Sequence, residues 1–118
     1  MKNSVSSLEL HALVNEWQFL VGSRVDNIYH TAKKDFLFVF FAPSIGKFFL
    51  RIVLPSAMFL TAAKEEAGEP SSFCMFLRKH LAGAVVKEIA QVNSERIVKI
   101  KFQKEKETWL IIELFSKG

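Results

Sequence analysis

The chain has 118 residues and a mass of 13.5 kDa, enough for one hydrophobic core and too little for two. Half of the residues are apolar and twelve are Phe, which excludes a disordered tail. The longest apolar run, Phe36 to Pro43, has the length of a strand and falls far short of a bilayer span, so no membrane partner is expected. The formal net charge of +4 is uneven: residues 1–70 carry seven basic and seven acidic side chains, residues 71–118 nine against five. That excess is a weak pointer to a polyanionic partner.

A first helix is expected over about 6–21. Ser4, Ser6 or Ser7 can cap it, and Glu9 falls in its first turn, where exposed amide protons favour a carboxylate. Leu10, Leu13, Val14, Trp17, Leu20 and Val21 recur at helical spacing, and Gly22 stops the helix. From Arg24 to His30 the chain alternates Val25, Asn27 and Tyr29 against Asp26, Ile28 and His30, a strand with one wetter face. Phe36–Phe41 and Lys47–Leu54 read as two more strands, joined by Ala42-Pro43-Ser44-Ile45-Gly46. Met58 to Ala67 has good helix formers without an apolar period and is predicted to be a short helical turn or a mobile loop.

A second helix over about 71–82 follows Pro70, capped by Ser71 or Ser72, with Phe73, Phe76, Leu77 and Leu81 expected to be buried. Gly83 is predicted to be its left-handed terminator. Strands at Ala84–Val92, Glu95–Phe102 and Thr108–Phe115 complete the chain, with Asn93-Ser94 a tight connection. Two successive units of helix plus antiparallel meander predict an α+β fold: a two-layer β-sandwich or half-open barrel with two edge helices, as one domain over 1–118.

No catalytic or metal-binding motif competes for attention. His11, His30 and His80 lie on three elements without ligand spacing, and Cys74 is too far along its helix from His80 to pair with it. No glycine-rich phosphate loop follows a strand, and Glu65-Glu66 fall in the presumed loop. Cys74 is read as a packing residue or a surface thiol. One cysteine forms no internal disulfide, and without a secretory leader pattern a cytoplasmic location is expected. No cofactor is expected.

Arg96 has a distinctive place. In Arg96-Ile97-Val98-Lys99-Ile100-Lys101-Phe102 it shares the parity of Val98, Ile100 and Phe102, while Lys99 and Lys101 take the other face. A guanidinium at the rim of a core needs a carboxylate or a phosphate. Glu9, ahead of Glu95, could supply the carboxylate and make a structural ion pair; an anionic ligand is the functional alternative. Strand spacing assigns Phe36, Phe38, Phe40, Phe48 and Trp109 mostly to the core, while Phe41 and Phe49 have the opposite parity. A sheet apolar on both faces must be covered on both.

These segments resemble the N-terminal domain of the NFACT proteins, also called the fibronectin-binding protein A family. The likeness lies in Ser6-Ser7-Leu8-Glu9-Leu10, in Gly22-Ser23-Arg24-Val25-Asp26-Asn27-Ile28-Tyr29, and above all in Phe73-Cys74-Met75-Phe76-Leu77-Arg78-Lys79-His80-Leu81-Ala82-Gly83. Leu60-Thr61, Gln91, the acid-Arg pair and Leu110-Ile111-Ile112-Glu113-Leu114-Phe115 follow in family order. Glu95 and Glu9 stand where the family usually has Asp. The family continues past a segment like Ser116-Lys117-Gly118 into a further strand, so the resemblance implies a domain lacking its last strands, with an exposed edge that allows a homodimer.

The resemblance implies binding, not catalysis. NFACT proteins recognise obstructed large ribosomal subunits and engage tRNA in ribosome-associated quality control. Carried over, this makes Glu9, Glu95 and Arg96 the residues for tRNA handling, with Arg78, Lys79, Lys99 and Lys101 as additional RNA-contact candidates. Implied partners are the large ribosomal subunit, tRNA and the remaining domains of a longer protein. The domain also resembles the N-terminal domain of formamidopyrimidine-DNA glycosylases, which use an N-terminal proline as nucleophile; this chain begins Met1-Lys2-Asn3. An adhesin-like surface protein, suggested by the family's older name, finds no leader or anchor in the sequence.

Overall fold

The computed structural model describes residues 6–32, 34–62, 69–93 and 95–114. Helix α1 spans Ser7–Glu16 and runs into a 3-10 turn at Trp17–Leu20. Strands β1 (Arg24–Ala32), β2 (Asp35–Ala42), β3 (Gly46–Val53) and β4 (Ala57–Thr61) follow, then α2 (Ser72–Leu81), then β5 (Val85–Gln91), β6 (Ile97–Gln103) and β7 (Glu107–Glu113). All pairings are antiparallel, and the strands form one seven-stranded sheet in the order β4-β3-β2-β1-β5-β6-β7. The two expected meanders are therefore halves of a single sheet.

Their junction is narrow. β1 meets β5 at the Arg24–Val85 pair. Around it, Val25 N–H donates to Ala84 at 2.9 Å, Gly83 N–H to Val25 at 2.8 Å and Gly22 N–H to Val86 at 2.8 Å. Gly22 and Gly83, with φ of +96° and +85°, end their respective helices at this seam, in a backbone region that an L side chain enters only with strain. Because the halves join so briefly, the sheet curls and stays half open. Phe36, Phe38, Ile52, Leu77, Leu110 and Ile112 line a cleft of about 470 Å³ between the two halves.

One core is shared by both halves. It takes Leu10, Val14, Trp17 and Leu20 from the first helical segment, Phe36, Phe38, Phe40, Leu50 and Ile52 from the first meander, and Val98, Ile100, Phe102 and Ile112 from the second. Of the three candidate serines Ser6 caps α1, and Glu9 completes a capping box: Glu9 N–H donates to Ser6 Oγ at 3.1 Å, and Ser6 N–H to Glu9 Oε1 at 3.0 Å.

Four expectations need correcting. Residues 57–61 form an edge strand, with Met58 buried opposite Ile52, because the pairing edge of β3 supplies hydrogen bonds that local helix propensity cannot match; residues 63–68 of that stretch lie outside the described residues. In β1 simple alternation fails: a bulge between Val25 and Asn27 puts Val25 and Ile28, three residues apart, both in the core. Phe73 and Phe76, expected inside, are 53% and 55% exposed, since α2 turns Cys74, Leu77 and Leu81 inward. Trp109 lies on the outer face, 43% exposed, opposite Lys101.

Cys74 resolves as a packing residue. Its thiol is fully buried and sits 3.5 Å from the Ile28 carbonyl, to which it donates. Burial pushes the thiol pKa up, and nearby Arg78 opposes part of that rise. A thiol so held reacts slowly, as thiolate is both scarce and enclosed. In native buffer near pH 8, an aromatic disulfide reagent is expected to label Cys74 at least about a hundredfold more slowly than in the denatured chain. Equal rates would mean that α2 is undocked.

Candidate functional site

The region gathering the most candidate residues is the end of the sheet where α1 begins and β5 turns into β6. The turn is tight: Glu95 N–H donates to the Val92 carbonyl at 2.9 Å, Val92 N–H to Ile97 at 2.9 Å, and Asn93 adopts φ +52°. Gln91, at the last position of β5, ties this turn to the helix. Its Nε2 donates to the Ser7 carbonyl at 3.0 Å and to the Glu95 carbonyl at 2.6 Å. One amide group thus bridges the first turn of α1, which carries Glu9, and the turn that carries Glu95 and Arg96. Gln18 repeats the device two residues earlier on β5, donating to the carbonyls of Val14 at 3.0 Å and Ile89 at 2.8 Å.

Within this site Glu95 is exposed and Arg96 half-buried, the rim position that strand parity foretold. Val98, Ile100 and Phe102 are buried on the same parity, and Leu114 N–H fixes the Arg96 carbonyl at 2.7 Å. Glu9 uses one carboxylate oxygen in the capping box. Beside it, His11, Asn15, Gln18, Gln91 and Asn93 line a shallow cleft of about 550 Å³, a surface of hydrogen-bonding groups flanking the acid-Arg turn.

The other four candidates lie elsewhere. Lys99 and Lys101 project from the outer face of β6, with their ammonium groups 5.0 and 5.6 Å from the centre of the Trp109 ring. Lys99 is 4.0 Å from Glu88, and Lys101 is 2.9 Å from Glu107. Arg78 is folded back on the protein: Nε donates to the Ile28 carbonyl at 2.7 Å, and the guanidinium lies 5.5 Å from the Tyr29 ring centre. It docks α2 against β1, satisfying a strand carbonyl just where β5 has diverged from that strand.

Lys79 is exposed near the opposite end of β6, in a cleft with Lys104 and Lys106. Eight positions from Arg96 to Lys104 at ~3.3 Å each make roughly 26 Å. The seven candidates therefore divide into an acid-Arg turn, an outer lysine-tryptophan ladder, a structural arginine and one lysine at the far end.

Sequence reasoning gave Gln91 a place in the family pattern but no role. A long amide side chain at a strand's end is a usable signal for a bridge, but which backbone it reaches depends on where α1 packs. Among the described residues no group of three or more His, Cys, Asp or Glu side chains converges as metal ligands, and no helix is long and apolar enough to cross a membrane.

The chain is 28% identical over 125 residues to an archaeal Rqc2 homolog from Methanocaldococcus jannaschii, and 34% identical over 124 residues to ribosome quality control complex subunit 2 of Saccharomyces cerevisiae. Each alignment covers 100% of this chain, but only 19% and 12% of those longer proteins. Among solved structures, the N-terminal domain of the fibronectin-binding protein PavA from Streptococcus pneumoniae superposes with a TM-score of 0.86 at 28% identity, covering 92% of this chain and 45% of that one. The family model for NFACT N-terminal and middle domains matches residues 6–118, a span from the capping box to the last strand that includes the Gln91 bridge and the acid-Arg turn, and the chain belongs to that family.

Proposed function

We propose that this domain is an RNA- and ribosome-contacting module of a cytoplasmic translation quality-control factor, one that recognises obstructed large ribosomal subunits and engages tRNA. It works by binding rather than by chemistry, with Glu9, Glu95 and Arg96 as the tRNA-handling group. Its partners are the large subunit, tRNA and the remaining domains of a longer protein. The likeness to the N-terminal domain of DNA glycosylases belongs to this reading as shared architecture, and β4 and β7, the outer strands of the sheet among the described residues, allow an edge-mediated homodimer.

The observation that carries the reading is the Gln91 bridge, which brings Glu9 and the Glu95-Arg96 turn to one end of the sheet beside a polar cleft. Family membership and the homology to ribosome quality-control factors supply the partner class. At this rim the Arg96 guanidinium is the group that meets phosphate in the complex.

The test is tRNA binding by the chain and by Arg96→Ala, measured between about 50 and 200 mM salt. The unaltered chain should bind more weakly as salt rises, because each neutralised phosphate releases counterions. Arg96→Ala should weaken binding while shifting stability by less than about 1 kcal/mol. A large loss of stability with unchanged tRNA affinity would make Arg96 a purely structural residue.

A further inference from the structure

The exposed face of α2 carries a second feature that the acid-Arg turn does not use. Phe73, Phe76 and His80 follow one another along the helix, each exposed. Phe73 and Phe76 lie with ring centres 6.4 Å apart and planes within 15°; Phe76 and His80 are 4.5 Å apart. The row is anchored at its start, where Phe73 packs edge-on against buried Phe36 at 5.7 Å. At its other end His80 enters the cleft of about 220 Å³ that it shares with Lys79, Lys104, Glu105, Lys106 and Thr108.

Three lysines meet one carboxylate there. Among the described residues none of Lys79, Lys104 and Lys106 has a carboxylate within ion-pair distance. An aromatic row on a rigid helix leading into net positive charge is the composition of a single-strand nucleic-acid surface, where bases stack on rings and phosphates meet cations. Folding leaves two Phe side chains more than half exposed where the inward face of the same helix is fully packed.

We propose that α2 and the β6–β7 turn form a second RNA contact, in which single-stranded RNA lays bases on Phe73 and Phe76 and sets its backbone phosphates against Lys79, Lys104 and Lys106. This rests on the RNA-binding reading above and adds a site roughly 26 Å from Arg96 along β6. The two surfaces take different parts of an RNA: a folded segment at the acid-Arg turn, an unpaired one at α2.

Fluorescence anisotropy with a labelled mixed-sequence single-stranded RNA of about ten nucleotides tests it, using the 118-residue chain with tRNA in parallel. Phe73→Ala/Phe76→Ala should weaken the single-strand complex by about tenfold or more with its salt slope unchanged. Lys79→Gln/Lys104→Gln/Lys106→Gln should lower that slope by about 2, at ~0.7 for each single-strand phosphate that the variant leaves unneutralised. Phe76→Ala alone, whose ring packs on exposed Phe73 and His80, guards against misfolding and should show the same direction.

Wild-type affinity in all three variants overturns the proposal, while tRNA binding that still depends on Arg96 would leave the proposed function standing. Should the double Phe variant instead dissolve a self-associated species and leave RNA affinity intact, the face is an interface between copies and the proposal fails. A wild-type chain that binds neither RNA overturns both readings together.

Discussion

Phe40→Ala is expected to cost about 3–5 kcal/mol, enough to bring a domain of this size close to its unfolding threshold. Phe40 is fully buried in the second half of β2, flanked by Val25 on β1 and Phe48 on β3. Removing the ring forfeits its transfer free energy and leaves a cavity bounded by two paired strands that cannot collapse inward. Chemical denaturation should show a lower midpoint with an unchanged slope, since the surface exposed on unfolding barely alters. A loss below about 1 kcal/mol would mean that the curled sheet relaxes far more than its pairings suggest.

Asp35→Ala should cost about 3 kcal/mol through a different mechanism, the loss of the carboxylate that faces a partly buried guanidinium. Arg51 Nε donates to Asp35 Oδ1 at 3.0 Å and Oδ2 at 3.2 Å, and Nη2 closes a second arm on Oδ2. Asp35 is 7% exposed, and the Arg51 side chain keeps 26% of its surface, with its guanidinium 5.9 Å from the Phe59 ring centre. Without the carboxylate the guanidinium loses its bidentate acceptor on a face otherwise packed with Leu37 and Val39. Asp35→Leu/Arg51→Met should recover most of the loss, because two apolar groups of similar volume bring no desolvation penalty. A double variant as unstable as the single one would show that the ion pair itself, and not the penalty of removing one member, holds the β2–β3 hairpin.

Much of the local structure was legible in the chain because its causes are local. The serines at 4, 6 and 7 with Glu9 announce a helix start, Gly22 announces a helix stop and Gly83 a left-handed one, and Val98, Ile100 and Phe102 announce one buried strand face. Each needs only a handful of neighbouring residues to be satisfied. The Arg96 rim position followed from the same alternation. The family pattern was legible too, being carried by motifs in order along the chain.

Only the tertiary structure decided where the apolar surplus goes and which candidates meet. The segment 57–61 becomes β4 because β3 offers an unpaired edge, a long-range fact that no local period encodes. A bulge at Asp26 reverses the parity of β1, and one extra residue suffices to exchange the two faces. On α2, the apolar and aromatic positions fit more than one amphipathic face; docking against β1 through Arg78 and Cys74 chooses the face that leaves Phe73 and Phe76 outside. Sequence determined both helices, six of the seven strands and the residue types of the site. The distance between Arg96 and Lys79, and with it the division of one basic half into separate surfaces, was set by how the strands lie.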